Sequence, residues 1–355
     1  MTPPAGIVKM DRALARTARG AVEVSPVPSI HDLTTPALLV DAAALDYNLR
    51  TMAAALPGPR LRPHVKAHKS TQLARRQAAM GHRAFTCATV REAEGLAAAG
   101  LGDDILLANE VLDARRLGRL GTRITVAVDS EATIDAAATG GVHEVLIDVN
   151  VGLPRCGCDP ADAGRLGDLA RRRGLSVRGV MGYEGHAVLM PERATRTTLA
   201  ARAMELLHQA HAEVGGDVVS AGGTGTYDLH TIPTEIQAGS YALMDTAYAK
   251  LALPFRLALS VLGTVVSTST QGYAVADVGL KALGMDHGPS AIDDAEVWFF
   301  SDEHVTFAPA RPHRPGDRIR VWPAHVDPTV AYHERAHVVD GERVIETWPI
   351  DLRGW

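Results

Sequence analysis

The chain has 355 residues, 46% apolar and 22% charged, an ordinary balance for a soluble globular protein and a length that suits one large domain plus a smaller one. A formal net charge of −5 gives no reason to expect nucleic acid or an acidic membrane surface as a partner. Cys87, Cys156 and Cys158 cannot all pair within one chain, which points to a reducing, cytoplasmic setting.

Residues 1–34 open with MTPPAGIVKMDRALARTARG, which lacks the apolar run of a signal peptide and reads as a polar arm, a candidate to pack on a later domain. TPALLV (35–40) and AAALDYNLRTMAAAL (42–56) follow, strand-like and helix-like, and begin a domain assigned to 35–252. From there a short aliphatic run, a polar turn and an amphipathic Ala/Leu/Arg-rich stretch recur. The runs are LRPHVKA (61–67), AFTCATV (84–90), DILLANE (104–110), RITVAVD (123–129), EVLIDVN (144–150), VRGVMGYEG (177–185), VVSAGG (218–223) and TEIQAGSYALM (234–244). Eight strands alternating with helices predict an α/β fold, a (β/α)8 TIM-type barrel. Its weak place follows the seventh run, where TYDLHTIP is too short and Pro-broken for a helix.

The most apolar long stretch, 241–266, carries Asp245, Lys250, Pro254 and Arg256, so it is not a membrane span. Over 253–355 the period changes to alternation of apolar and polar residues between Gly, Pro and Asp turns, predicting a C-terminal antiparallel β domain. VVDGERV is its clearest hairpin, by the Asp-Gly turn.

In such barrels catalytic groups sit where strands end and loops begin. RPHVKAHKS (62–70) ends the first run, and strand alternation puts His64, Lys66 and His68 on one face and Lys69 on the other. Asn109 and Glu110 end the third run, VGLPRCGC follows the fifth, GYEGH (182–186) closes the sixth, AGGTGTYD (221–228) follows the seventh and QAGSY lies in the eighth. The Gly/Thr loop is of the kind that cradles a phosphate, with backbone N–H groups exposed by glycine and hydroxyl donors on Thr224 and Thr226. A phosphate site and a rim lysine on one barrel suggest pyridoxal phosphate (PLP), whose lysine needs its pKa lowered by burial or by cationic neighbours such as His64 and His68. Lys66, on the histidine face, is preferred to Lys69. The cysteines read as small core or loop residues, RCGCD is too tight for a zinc site, and His208, His211, His333 and His337 form no constellation.

Together RPHVKAHKS, GYEGHAV, GGTGTYD, AGSYALMD and HVDPT resemble the alanine-racemase-type (fold type III) PLP enzymes, in the D-threonine aldolase/D-serine dehydratase branch, in order along about residues 35–350. The resemblance implies a PLP barrel followed by a β domain, with active sites near a homodimer interface. It implies that Lys66 is the Schiff-base lysine. It also implies that Gly223, Thr224, Gly225, Thr226, Gly239, Ser240 and Tyr241 bind the phosphate, and that Arg155 and Tyr183 line the ring. In HVDPT, His325 and Asp327 are two apart, hence on one face of a strand, and the resemblance makes them ligands of a divalent metal. Dehydratase members tend to carry cysteine at the position of Asp327. A carboxylate suits Mn²⁺ or Mg²⁺, with Co²⁺ also a candidate, better than zinc.

The reaction so implied is retro-aldol cleavage of a small-molecule D-3-hydroxy-α-amino acid to glycine and an aldehyde, with His186 or a water on the metal taking the β-hydroxyl proton. The alternatives are β-elimination to a keto acid and ammonia, then racemisation, which has no use for a metal. A non-catalytic PLP-binding protein is a further reading, and the added β domain argues against it.

Overall fold

The computed structural model of the chain describes residues 28–355, so most of the expected N-terminal arm lies outside the described residues. The first strand, β1 (Ala37–Asp41), runs into α1 (Ala42–Ala55), which Asp41 caps by accepting from the Ala44 backbone N–H at 2.8 Å. After α2 (Thr71–Ala79) the chain alternates: β2 (Ala84–Cys87), α3 (Val90–Ala98), β3 (Asp104–Leu107), β4 (Ile124–Val128), α4 (Glu131–Thr139) and β5 (Glu144–Asp148). The alternation continues with α5 (Ala163–Arg172), β6 (Ser176–Gly182), α6 (Arg193–Val214), β7 (Val218–Ala221) and the short β8 (Glu235–Ile236).

Strands β2 to β8 pair in parallel and in sequence order. Parallel bridges from Leu61 to Ile236 and from His64 to Thr86 then close the barrel. The eighth place is therefore filled by an irregular segment, not by the regular strand expected over 61–67. Pro63 has no N–H to give a ladder, and the chain turns into a 3₁₀ turn at Val65–Ala67. The expected strand over 234–244 is likewise cut short, because Ser240–Ala242 form another 3₁₀ turn. No helix follows β7 over 226–233.

The strands sort their side chains by alternation. Ile105, Leu107, Val126, Val128, Val145, Ile147 and Val180 pack outward on Leu96, Ile134, Leu166 and Leu207 of the helices. Leu106, Ala127, Leu146 and Met181 form a separate cluster. Each such aliphatic side chain contributes about 1.5–3 kcal/mol when fully buried. Where the strands begin, Arg62 binds Glu235 at 2.8 Å and Asp104 at 3.1 Å, and Arg178 binds Asp104 at 3.0 Å.

Beyond α7 (Thr246–Ala249) the second sheet is built from β9 (Leu259–Thr268), β10 (Ala274–Ala276), β11 (Ala291–Ile292), β12 (Ala295–Phe300), β13 (Val305–Pro309) and β14 (Arg318–Trp322). Then come α8 (Val326–Tyr332), β15 (Arg335–Asp340) and β16 (Arg343–Pro349). Its order is β12-β13-β10-β9-β1-β15-β16, with β14 on β9 and β11 on β14. Strand β1 thus belongs here, parallel to β15 and antiparallel to β9, although the sequence pattern groups its residues with the barrel. The local pattern TPALLV specifies a strand but not its partners. The β15–β16 hairpin turns at Gly341 and Glu342, one residue later than the Asp-Gly reading, with Gly341 at φ +62°. The chain end returns to the barrel: Leu352 packs in its core, and Asp351 accepts from the Thr71 N–H at 2.9 Å. Among the described residues no helix is long and apolar enough to cross a membrane.

Candidate active site

The lysine loop is set by two turns. His64 caps the 3₁₀ turn, and its Nδ1 accepts from the Lys66 N–H at 3.4 Å. Lys69 takes a left-handed φ of 46°, which sends its side chain to the buried carboxylate of Glu92. Lys66 and Lys69 therefore diverge through a left-handed turn, not through strand alternation. Lys66 lines a pocket at the ends of the strands together with His64, Arg155, Tyr183, Gly223, Thr224, Gly239 and Ser240. His68 lies apart, its Nε2 3.2 Å from Gln77 Oε1.

The charge around Lys66 is opposite to the expectation. Burial and Lys66 itself hold His64 well below the usual imidazole range, so it is neutral. Asp327 Oδ1 lies 2.6 Å from Lys66 Nζ. Burial lowers the lysine, but Asp327 and Tyr183 outweigh it, and its pKa is raised rather than lowered. Burial pushes the Asp327 carboxyl up, and Lys66 and His325 more than reverse this, holding it at about 2. The Lys66 side chain remains 43% exposed through the pocket mouth.

On the glycine side, Gly222 sits at φ +83°, and a Cβ on Gly239 would lie 2.5 Å from the His64 carbonyl oxygen. The backbone N–H groups of Thr224, Gly239 and Ser240 meet no acceptor among the described residues. Thr224 Oγ1 accepts from the Tyr241 N–H at 3.0 Å, which leaves its own hydrogen to donate elsewhere. Gly225, Thr226 and Tyr241, expected to face a phosphate, are not in the pocket lining. Gly225 presses on the Val188 backbone, Thr226 donates to Glu184 at 2.5 Å, and the Tyr241 hydroxyl accepts from Gln77 at 3.0 Å. These residues support the loop from beneath.

The segment HVDPT is not a strand. His325 is the N-cap of α8, and Asp327 stands in its first turn. Asp245, buried and pushed up to about 6, starts this helix by accepting from the Val326 N–H at 3.0 Å. His325 Nε2 lies 3.7 Å from Asp327 Oδ2, and His325 Nδ1 lies 2.7 Å from Asp286 Oδ2. His287 stacks on His325 with ring centroids 3.7 Å apart. Asp286, His287 and His325 each offer a ligand atom within 4.8 Å of the others. Asp286 and His287 escaped the sequence reading because they lie some forty residues upstream in a turn. An Asp-His pair between Gly284 and Gly288 was the available signal.

His186 also differs from expectation. Its ring lies against Gly152, where a Cβ would come within 2.9 Å of Cε1, and it is not in the pocket lining. Arg155 does reach the pocket, with its guanidinium 5.5 Å from the Tyr183 ring centre.

The residues present fit both groups that the resemblance implies. A lip of N–H and O–H donors suits a phosphate. A lysine opening beside Tyr183 and Arg155 suits a flat ring bearing an aldehyde. His325 Nδ1 faces Asp286, so in the neutral ring Nε2 would be left with a lone pair on the side of the Asp327 carboxylate, a nitrogen-and-oxygen set suited to a divalent cation.

The barrel of parallel strands, followed by a mostly antiparallel sheet that carries polar side chains back to the strand ends, defines an alanine racemase-like enzyme. Residues 40–246 match the model of the alanine racemase N-terminal domain, and 258–339 match the putative serine dehydratase domain. The chain is 35% identical to a D-threonine aldolase from Arthrobacter sp over 353 residues, 90% of this chain and 93% of the relative. The crystal structure of D-threonine aldolase from Filomicrobium marinum superposes with a TM-score of 0.85 at 32% identity, covering 92% of this chain and 98% of that one. The solved structure of D-threo-3-hydroxyaspartate dehydratase from Delftia sp. HT23 gives 0.83 at 26% identity, covering 92% of this chain and 100% of that one. The chain belongs to the alanine racemase-like family, in the branch that holds the D-threonine aldolases and serine dehydratase domains, and it is a lyase.

Proposed function

We propose that the protein is a PLP- and divalent-metal-dependent lyase that cleaves D-3-hydroxy-α-amino acids of the D-threonine type to glycine and an aldehyde. The observation that carries this reading is the carboxylate of Asp327, 2.6 Å from Lys66 Nζ and 3.7 Å from His325 Nε2. It joins the lysine to the candidate metal ligands by direct contact, although neither His325 nor Asp327 lines the pocket itself. The D-threonine aldolase relatives support the same reading.

When bound, the cofactor supplies an aldehyde that captures the substrate amine and a ring that stores an electron pair, while a divalent metal supplies a Lewis acid at the β-oxygen. Lys66 would hold the cofactor, with Arg155 and Tyr183 available to its ring and Thr224, Gly239 and Ser240 available as donors to its phosphate. His325 and Asp327 would hold the metal, and Asp286, 2.7 Å from Nδ1, would leave Nε2 of His325 to bind it. The β-hydroxyl proton would leave toward this side, where the imidazole of His287, stacked on His325, is the candidate acceptor. The Cα–Cβ bond breaks with its electron pair left at Cα, and Lys66 returns a proton there.

The match of the second domain to a serine dehydratase model favours one other reading, in which Lys66 removes the α-proton and hydroxide leaves. Product analysis with D-threonine, PLP and Mn²⁺ separates the two. Acetaldehyde plus glycine is expected, and 2-oxobutyrate plus ammonia would replace the aldolase reading with the dehydratase one.

A further inference from the structure

Beneath the glycine loop lies a carboxylate for which the reaction has no use. Glu184 follows β6, and its side chain is fully buried. Its Oε1 accepts from Thr226 Oγ1 at 2.5 Å and from His230 Nε2 at 2.7 Å, and its Oε2 accepts from the Gly222 N–H at 3.2 Å. Burying a carboxylate costs several kcal/mol unless donors surround it. Here burial pushes the carboxyl up, and the bonds from His230 and Thr226 outweigh it and keep it ionised.

We propose that Glu184 is a positioning residue for the phosphate cradle, acting through Thr226 and His230 to fix which loop groups donate toward the pocket. The proposal rests on the reading that the loop holds the phosphate of PLP. An ionised carboxylate only accepts, so the Thr226 hydroxyl must give its hydrogen to Glu184. Its lone pair then accepts from the Gly223 N–H at 3.2 Å. The N–H groups of Gly222 and Gly223 are both used inside the loop, whereas Thr224 lines the pocket and its N–H meets no acceptor among the described residues. Thr224 Oγ1, occupied as acceptor by the Tyr241 N–H, presents its hydrogen as well. The buried anion thus sets a relay that leaves donors at the surface of the loop. Thr226, expected from the sequence to touch the phosphate, is the middle of that relay.

The isosteric Glu184→Gln substitution tests this. Three donors converge on the carboxylate, whereas an amide offers one oxygen and places an NH₂ against another donor. The full chain, stripped of cofactor and checked for folding by circular dichroism, is titrated with PLP and separately with pyridoxal, which has the same ring and aldehyde but no phosphate. Glu184→Gln should weaken PLP binding by about 10–100-fold, the range of one or two hydrogen bonds to a charged group. Pyridoxal binding should change by less than about twofold. Should Glu184→Gln fail to fold, Thr226→Val, which cuts the relay, and Thr226→Ser, which keeps it, carry the same test: the first weakens PLP selectively and the second does not. Equal losses for the two ligands, or no loss for either, overturn the proposal. Failure of the unmodified protein to bind PLP at all overturns the cofactor reading itself.

Discussion

Where the barrel strands begin, Arg62, Arg123 and Arg178 share Asp104, and Arg123 and Arg178 also reach Glu144 while Arg62 reaches Glu235. Where they end, Lys66 meets Asp327 as its one carboxylate partner among the described residues. Both ends carry charge inside an apolar barrel, but one set is mutually satisfied and the other is half open. A closed set holds its geometry without any ligand and makes removal of one member costly to the fold. An open set gives up stabilisation and keeps lone pairs and donors for something else. The same contrast runs through RPHVKAHKS: Arg62 belongs to the closed end, Lys66 to the open one, and His68 and Lys69 to closed pairings of their own with Gln77 and Glu92.

The largest effect should follow loss of the open lysine. Lys66→Ala should lower turnover by about four orders of magnitude or more, as removal of a covalent catalytic group does. It should also abolish the borohydride-reducible yellow band at about 410–430 nm that a lysine-bound cofactor gives. Thermal unfolding should move by the equivalent of less than about 1 kcal/mol, since the pair is part-exposed. If Lys69→Ala removes the band instead, the lysine assignment is wrong.

Asp327→Ala and His325→Ala should each lower turnover by about 10²–10⁴-fold, the weight of a Lewis acid at one oxygen, while the cofactor band stays. A chelator should reproduce that loss and added Mn²⁺ or Mg²⁺ should reverse it in the unmodified protein alone. Full activity after metal removal would leave both residues without the assigned role.

At the closed end the sign reverses. Arg62→Met strands Glu235 and removes one of the three arginines on Asp104, and should cost about 3–5 kcal/mol, a fall in Tm of roughly 6–20 °C. Turnover per folded molecule should stay within about twofold. A large loss of turnover with unchanged Tm would break the comparison of the two ends.

His68 sharpens it by pH. Its Nδ1 accepts from the Ser70 N–H at 3.2 Å and its Nε2 faces Gln77 Oε1, so the neutral ring is fully used. Burial lowers its pKa from 6.5 to about 4. The folded state then binds fewer protons than the unfolded chain between those values. Stability is fully present above pH 6.5 and falls by roughly 3 kcal/mol as pH drops toward 4. In His68→Asn that part of the slope should vanish in urea unfolding measured at pH 7, 5.5 and 4. An unchanged slope would mean another group titrates there.

What was legible in the sequence follows the range of the interactions involved. Strands β2 to β7 were legible because a parallel strand buried on both faces reads as a continuous aliphatic run. The segment 61–67 was misread as regular because bridges to distant Ile236 and Thr86, not its own pattern, hold it in the barrel. Asp286 and His287 were overlooked for the same reason: contacts distant in sequence, the bridge from Gly284 to His325 and the bond from the Gly284 N–H to Thr329, bring their turn to α8. Glycine and threonine marked the loop after β7, but spacing could not tell Thr224, which faces the pocket, from Thr226, which faces Glu184.

The smallest expected effect concerns His186. Its position after β6 put it on the rim in the sequence, and a general base there would contribute about 10²–10⁴-fold. In the structure its ring lies on Gly152, at φ +123°, and its Nδ1 is buried without a partner. His186 is not among the residues that line the space Arg155 and Tyr183 share with Lys66. His186→Ala should therefore change kcat/KM for D-threonine by less than about twofold. His287→Ala, beside His325, should lower it by the larger factor expected of a proton acceptor. The cofactor spectrum should be the same in both variants, so that only a step at the β-oxygen is being compared. A loss of 10²-fold or more in His186→Ala with none in His287→Ala would mean that the chain at Gly152 yields when substrate binds. The open end of the barrel would then extend across Gly152 rather than stop at Arg155.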